Sequence, residues 1–148
     1  MASQTPLVEA LFEAARQEDW GTVDDQYLPQ FAELEENEAS QAAKALLTKV
    51  EDSDPNIRDG VATAMVALKI SDRAILKETV EAMFKMVSTD PERYPAGRAA
   101  AFLLSRQDDE EFGEKIKMTL TEFKAKAQSQ GWVEDLKENI PSLASFFG

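Results

Sequence analysis

The stretch from Asp54 to Leu68 restricts what this chain can fold into more than any other. Asp54-Pro55 is a helix start, an acceptor side chain followed by a ring that needs no N–H partner, and Ile57, Val61, Ala64, Met65 and Leu68 then recur at helical spacing as a buried stripe. A second such segment opens at Asp90-Pro91 and ends Ala99-Ala100-Ala101-Phe102-Leu103-Leu104, an offset of 36 residues. That separation falls within the range of helical-hairpin repeats. No convincing alternating β-branched run competes, and Asp59-Gly60 lies inside a helical pattern instead of between two apolar strands. The chain is therefore expected to be all-α.

Taken in order, Thr5-Pro6 starts a helix whose stripe is Leu7, Val8, Leu11, Phe12 and Ala15, and Trp20-Gly21 is expected to end it. Pro29 would break a helix interior, so the next helix is expected to begin near Tyr27 or Leu28 and to carry Phe31 and Leu34 inward. After the acidic patch Glu33, Glu35, Glu36 and Glu38, the set Ala39, Ala42, Ala43, Leu46, Leu47 and Val50 predicts a helix that Asp52 to Pro55 stops. Ser71-Asp72 opens another, with Ile75, Leu76, Val80, Met83, Phe84 and Val87 inward. Pro95 marks a helix start or an early kink, and the alanines at 99–101 allow a neighbouring helix to approach closely. The acidic run Asp108 to Glu111 sits where the dipole of the following helix favours it, and that helix carries Phe112, Ile116, Leu120, Phe123 and Ala127 to a C-cap at Gly131. Trp132, Val133, Leu136, Ile140, Leu143, Phe146 and Phe147 form a terminal cap.

At 148 residues the chain is expected to be one domain. It has no cysteine and no histidine, which removes disulfides, thiolate nucleophiles, imidazole bases, Ser-His-Asp triads and zinc or di-iron sites that need imidazole. No membrane span or signal peptide is legible, so a cytoplasmic protein is expected. The net charge of −12 is uneven: residues 1–51 carry 11 acidic and 3 basic side chains, residues 52–107 carry 8 of each, and residues 108–148 carry 9 and 5. Such a chain repels nucleic acid and anionic membranes, and a protein or peptide partner, basic if the field is used, is the natural expectation. The alternative is that the charge only keeps the protein soluble.

The motif Asp54-Pro-x-Ile57-Arg58-x-x-Val61-Ala62-x-Ala64-Met65 resembles the first helix of a HEAT repeat, with Asp72 to Val87 as the second helix. The likeness extends more loosely over 90–128, where Tyr94 falls on the position of Arg58, and over 20–51 rests on hairpin spacing. It implies a short right-handed α-solenoid of antiparallel helix pairs, about seven to eight helices, with units near 20–51, 54–88 and 90–129 between capping helices 5–19 and 132–147. HEAT-like repeats typically bind other proteins, and a minority, such as bilin lyases, act on chromophores. Because second helices line the concave face in that family, Lys77, Glu81, Lys85, Lys117, Thr121 and Lys124 are the candidate partner-binding residues. Arg58 is expected to pair with Asp54 or Asp90 in a structural role.

No chemistry-bearing motif competes with an interaction role. Asp52-Ser-Asp54-Pro-Asn56 imitates the start of a calcium loop but has Ile57 where the turn needs glycine and Thr63 where the ion needs a bidentate glutamate. Neither a phosphate-cradling glycine loop nor a nucleophile elbow occurs among the 6 glycines. The expectation is a non-catalytic interaction or scaffold module without cofactor or metal. The alternative is a lyase or carrier that holds a bilin or another small molecule in the helical groove. Trp20 and Trp132 are read as closing the ends of the core, with anchoring of a partner as the alternative, and Phe146-Phe147 as a homodimer contact only if the terminal cap fails to fold back. The oligomeric state is not legible.

Overall fold

The computed structural model describes residues 5–148, and among these every regular element is helical. The chain divides into two compact units, 1–82 and 83–148, with the boundary inside one long helix. None of the described helices is long and apolar enough to cross a membrane.

In the first unit, α1 (Thr5–Arg16) buries Val8, Leu11, Phe12 and Ala15. The expected cap from the Thr5 hydroxyl lies outside the described side chains. The helix stops before Trp20-Gly21, in a turn where Glu18 N–H donates to the Ala15 carbonyl at 3.0 Å and Asp19 N–H to the Ala14 carbonyl at 2.9 Å. This two-bond ending places Glu18 in the left-handed region, at φ 58°, a position that usually holds glycine. Trp20 opens the next helix instead of closing the last, because Asp19 caps it by accepting from the Thr22 N–H at 3.3 Å and hydroxyl at 2.7 Å.

From Trp20 the chain stays helical to Ala32, through α2 (Trp20–Thr22), a π-helical turn (Val23–Tyr27) and α3 (Leu28–Ala32). Helix here begins earlier than Pro29 suggests. The wide turn, closed by the Leu28 N–H on the Val23 carbonyl, delivers Pro29 to the start of α3, where a missing N–H and a bulky ring are tolerated. Phe31 is fully buried and Leu34 partly so.

The acidic patch that follows has local work. Glu35 and Glu38 form a reciprocal capping box at the head of α4 (Glu36–Leu47), and the negative first turn suits the helix dipole. Ala39, Ala42, Ala43 and Leu46 turn inward.

The central helix of the unit is α5 (Pro55–Ala67), packed against α1, α3 and α4. Asp54 is its N-cap, accepting from the Asn56 N–H at 2.9 Å, and Asp52 accepts from the Asp54 N–H at the same distance. The calcium-loop imitation is thus a capping device. Arg58 Nη1 donates to the Asp52 carbonyl at 2.8 Å and so braces the same turn. Ile57, Asp59, Gly60, Val61, Ala62, Ala64 and Met65 are buried, which leaves α5 enclosed on nearly every face. A Cβ at Gly60 would lie 3.2 Å from that of Ala15, so α1 crosses α5 closer than side chains normally permit. The helix ends at Ala67, and Leu68 is buried from an extended conformation rather than from the helix.

Asp72 caps α6 (Arg73–Thr89), accepting from the N–H groups of Ala74 and Ile75 at 2.9 and 3.1 Å. Ile75, Leu76, Val80, Met83, Phe84 and Val87 are buried on it.

The second unit takes the end of α6 from Met83, then α7 (Arg93–Ser105), α8 (Gly113–Gln130), α9 (Val133–Asn139) and α10 (Ser142–Phe147). Asp90-Pro91 does not open α7 directly. The buried Asp90 carboxylate accepts from the Glu92 N–H at 3.0 Å, a local turn about Pro91, and the helix starts after Glu92. Pro95 is then the third helical residue, where its absent N–H has no intrahelical acceptor to lose.

Helix α7 packs against α8 and α9 and buries Pro95, Ala96, Gly97, Ala99 to Leu103. A Cβ at Gly97 would stand 2.7 Å from Leu136 Cδ2 and 3.0 Å from Ile140 Cδ1, so α9 rests directly on the α7 backbone. Beside this contact Arg93 pairs with Asp135, and the Asn139 amide donates to the Tyr94 hydroxyl at 3.3 Å. Tyr94 thus ties α7 to α9.

Candidate functional site

The six candidate residues lie on α6 and α8, and the structure gives them different settings. Lys77 and Glu81, on the part of α6 within the first unit, and Lys85, on the part within the second, are exposed one helical turn apart. Their own spacing follows from α6, whose opposite side is occupied by Leu76, Val80 and Met83.

Lys117, Thr121 and Lys124 are brought together with residues from elsewhere. All three line an open concavity of about 390 Å³, shared with Leu120 of α8, Gln107 of the preceding loop and Phe146 of α10. Helical spacing explains the first three: positions i, i+4 and i+7 share a face, while Ile116, Leu120, Phe123 and Ala127 are buried.

The loop before α8 is held by Asp109, whose carboxylate accepts from the N–H groups of Glu111 and Phe112 at 2.9 and 3.0 Å. At the other end, α8 closes in the same two-bond turn as α1. Gly131 N–H donates to the Gln128 carbonyl at 3.3 Å and Trp132 N–H to the Ala127 carbonyl at 2.9 Å, with Gly131 at φ 73°.

Beyond that turn the terminal cap folds back. Trp132, Leu136, Ile140, Leu143 and Phe147 are buried, and the Phe147 ring lies 6.2 Å from that of Phe123. The condition attached to a Phe146-Phe147 homodimer contact, an undocked end, is not met. Phe146 remains half-buried beside Phe147, with ring centroids 5.1 Å apart, and Lys124 Nζ sits 5.8 Å from the Phe146 centroid. This ring is a part of the lining that sequence spacing could not supply.

Electrostatically, the ionisable residues that line the concavity are Lys117 and Lys124. The Thr121 hydroxyl donates to the Lys117 carbonyl at 3.0 Å yet keeps its lone pairs at the surface. Met118, the next residue of the same helix, is 66% exposed.

A second, smaller hollow of about 160 Å³ is lined by Val87, Ser88, Thr119, Glu122, Phe123 and Lys126. Its lysine is committed to the fold. Lys126 Nζ reaches the carbonyls of Val87 and Asp90, each at 3.4 Å, which places a cation where the α6 dipole favours one, and it also lies over the Trp132 ring.

Among the described residues no group of three or more carboxylates is placed to hold a metal ion. Compared with known proteins, the chain matches no family model, no curated sequence and no solved structure.

Proposed function

We propose that this chain is a non-catalytic interaction module of the helical-repeat type, a HEAT-like right-handed solenoid that binds a protein or peptide through exposed second-helix faces. The observation that carries this reading is the convergence of Lys117, Thr121 and Lys124 with Gln107 and Phe146 around one open concavity. Two lysines, an aromatic ring and uncharged hydrogen-bonding groups lining one hollow suit a surface that receives a side chain or short segment. The repeat assignment is supported by the capped Asp54-Pro55 helix start and by the small-residue packing of α5. The acidic N-terminal third is a second exposed surface of this module and would take a basic partner.

The test is affinity capture with the wild type and with a variant carrying Lys77→Asp, Lys85→Asp, Lys117→Asp and Lys124→Asp. A protein retained by the wild type and lost by the variant supports the module. A visible absorption band acquired with bilins by the wild type would instead support a chromophore carrier. Nucleic acid retained through moderate salt would contradict the charge argument.

A further inference from the structure

Within the interaction reading just given, on which this inference rests, the chemistry of the α8 concavity selects a narrower class of partner. The chain carries 28 acidic side chains against 16 basic ones, yet the charged residues lining this hollow are Lys117 and Lys124. Of the two glutamates of α8, Glu122 lines the smaller hollow, and Glu114 stands nearly a turn before Lys117. The two ammonium groups arise seven residues apart on one helix, about 10 Å along its axis. Phe146 adds a half-buried ring to the same lining, 5.8 Å from Lys124 Nζ, and Thr121 and Gln107 supply uncharged hydrogen-bonding groups.

We infer that this concavity docks an acidic peptide segment of a partner protein, two of whose carboxylates pair with Lys117 and Lys124 while an apolar side chain between them packs on Phe146 and Leu120. Charge complementarity decides the occupant. A basic segment would place its cations against two lysines, with no carboxylate among the described lining residues to offset them, and like charges facing across an interface repel. An extended segment fits the spacing, since carboxylates four residues apart along a strand share one face with the side chain midway between them and stand roughly 13 Å apart, a difference the long lysine stems span.

The test is selection from a displayed random-peptide library against the purified full chain, followed by affinity measurement of the enriched peptides with the wild type, a Lys117→Glu/Lys124→Glu variant and Phe146→Ala. The expected result is enrichment of Asp/Glu-rich peptides containing an aromatic or aliphatic residue. Their affinity should fall at least about tenfold in the charge-reversed variant and weaken with added salt. Circular dichroism and an unchanged urea midpoint show that the charge-reversed variant is folded. Enrichment of basic or neutral peptides, or acidic peptides whose affinity survives the charge reversal, overturns the inference and leaves the interaction module standing. A library that yields no binder overturns the inference, and the module is then decided by the affinity capture described above.

Discussion

Helix α5 in the first unit and α7 in the second are alike in burial and different in how they begin. Each is a run of small residues enclosed by neighbours, with a glycine where a second helix touches its backbone: Gly60 under α1, Gly97 under α9. Asp54-Pro55 opens α5 directly, whereas Asp90-Pro91 forms a separate turn and α7 starts after Glu92. The repeated Asp-Pro therefore marks the approach to a central helix, and the small-residue packing, not the cap, is what the two regions share. Their surfaces differ further. Residues 1–82 carry 17 acidic and 7 basic side chains, and residues 83–148 carry 11 and 9. The acidic field is a property of the first unit, and part of it, at Glu35 and Glu38, caps a helix.

The largest effects should come from charging either central helix. Met65→Asp and Phe102→Asp each place an unpaired carboxylate at a fully buried position, a cost of several kcal/mol that rivals the stability of an ordinary domain. Helical circular dichroism and urea midpoints should collapse for both. If only one did, the likeness between α5 and α7 would fail.

Alanine at the two contact glycines separates them. At Gly97 the new methyl meets Leu136 and Ile140 at 2.7 and 3.0 Å, and overpacking of this kind costs about 1 to 3 kcal/mol. At Gly60 the nearest atom is 3.2 Å away, and the gain in helix propensity, about 1 kcal/mol, should hold the change within roughly 1 kcal/mol of zero. A Gly97→Ala protein more stable than Gly60→Ala would contradict the close seat of α9.

The two equivalent helix endings predict opposite signs. Gly131→Ala should destabilise by about 1 kcal/mol, because a Cβ is forced into the left-handed region. Glu18→Gly should stabilise by about 0.5 kcal/mol, the strain relieved exceeding the entropy lost. Thermal midpoints of the pair decide whether both turns have the geometry described.

Smallest of all is Lys77→Asp on the exposed side of α6, where the urea midpoint should correspond to a change of no more than roughly 0.5 kcal/mol.

What the sequence made legible follows the same division. Asp54, Asp72 and Gly131 announce helix ends because their side chains, or the lack of one, are the capping chemistry itself. Trp20 to Ala32 was harder, since a π turn has no residue signature and Pro29 reads as a breaker until that turn is seen to seat it. Glu18 hid a helix ending that glycine usually declares. The capping box at α4 was obscured because glutamate stands at Glu35 where serine or threonine would signal it. The boundary between units has no linker to betray it, lying inside α6. For the candidate site, Lys117, Thr121 and Lys124 were readable from helical spacing, whereas Gln107 and Phe146 join them only through the return of α10. A contact made by tertiary folding leaves no periodicity to read.

The central claim is that each unit is built around one enclosed helix, and native-state hydrogen exchange tests it most directly. Amides in the interior of α5, residues 61–66, and of α7, residues 99–104, should exchange most slowly within their units, because opening them requires removing every neighbour packed on them. Slowest exchange in α4 of the first unit or in α8 of the second, with α5 or α7 opening earlier, would contradict the account.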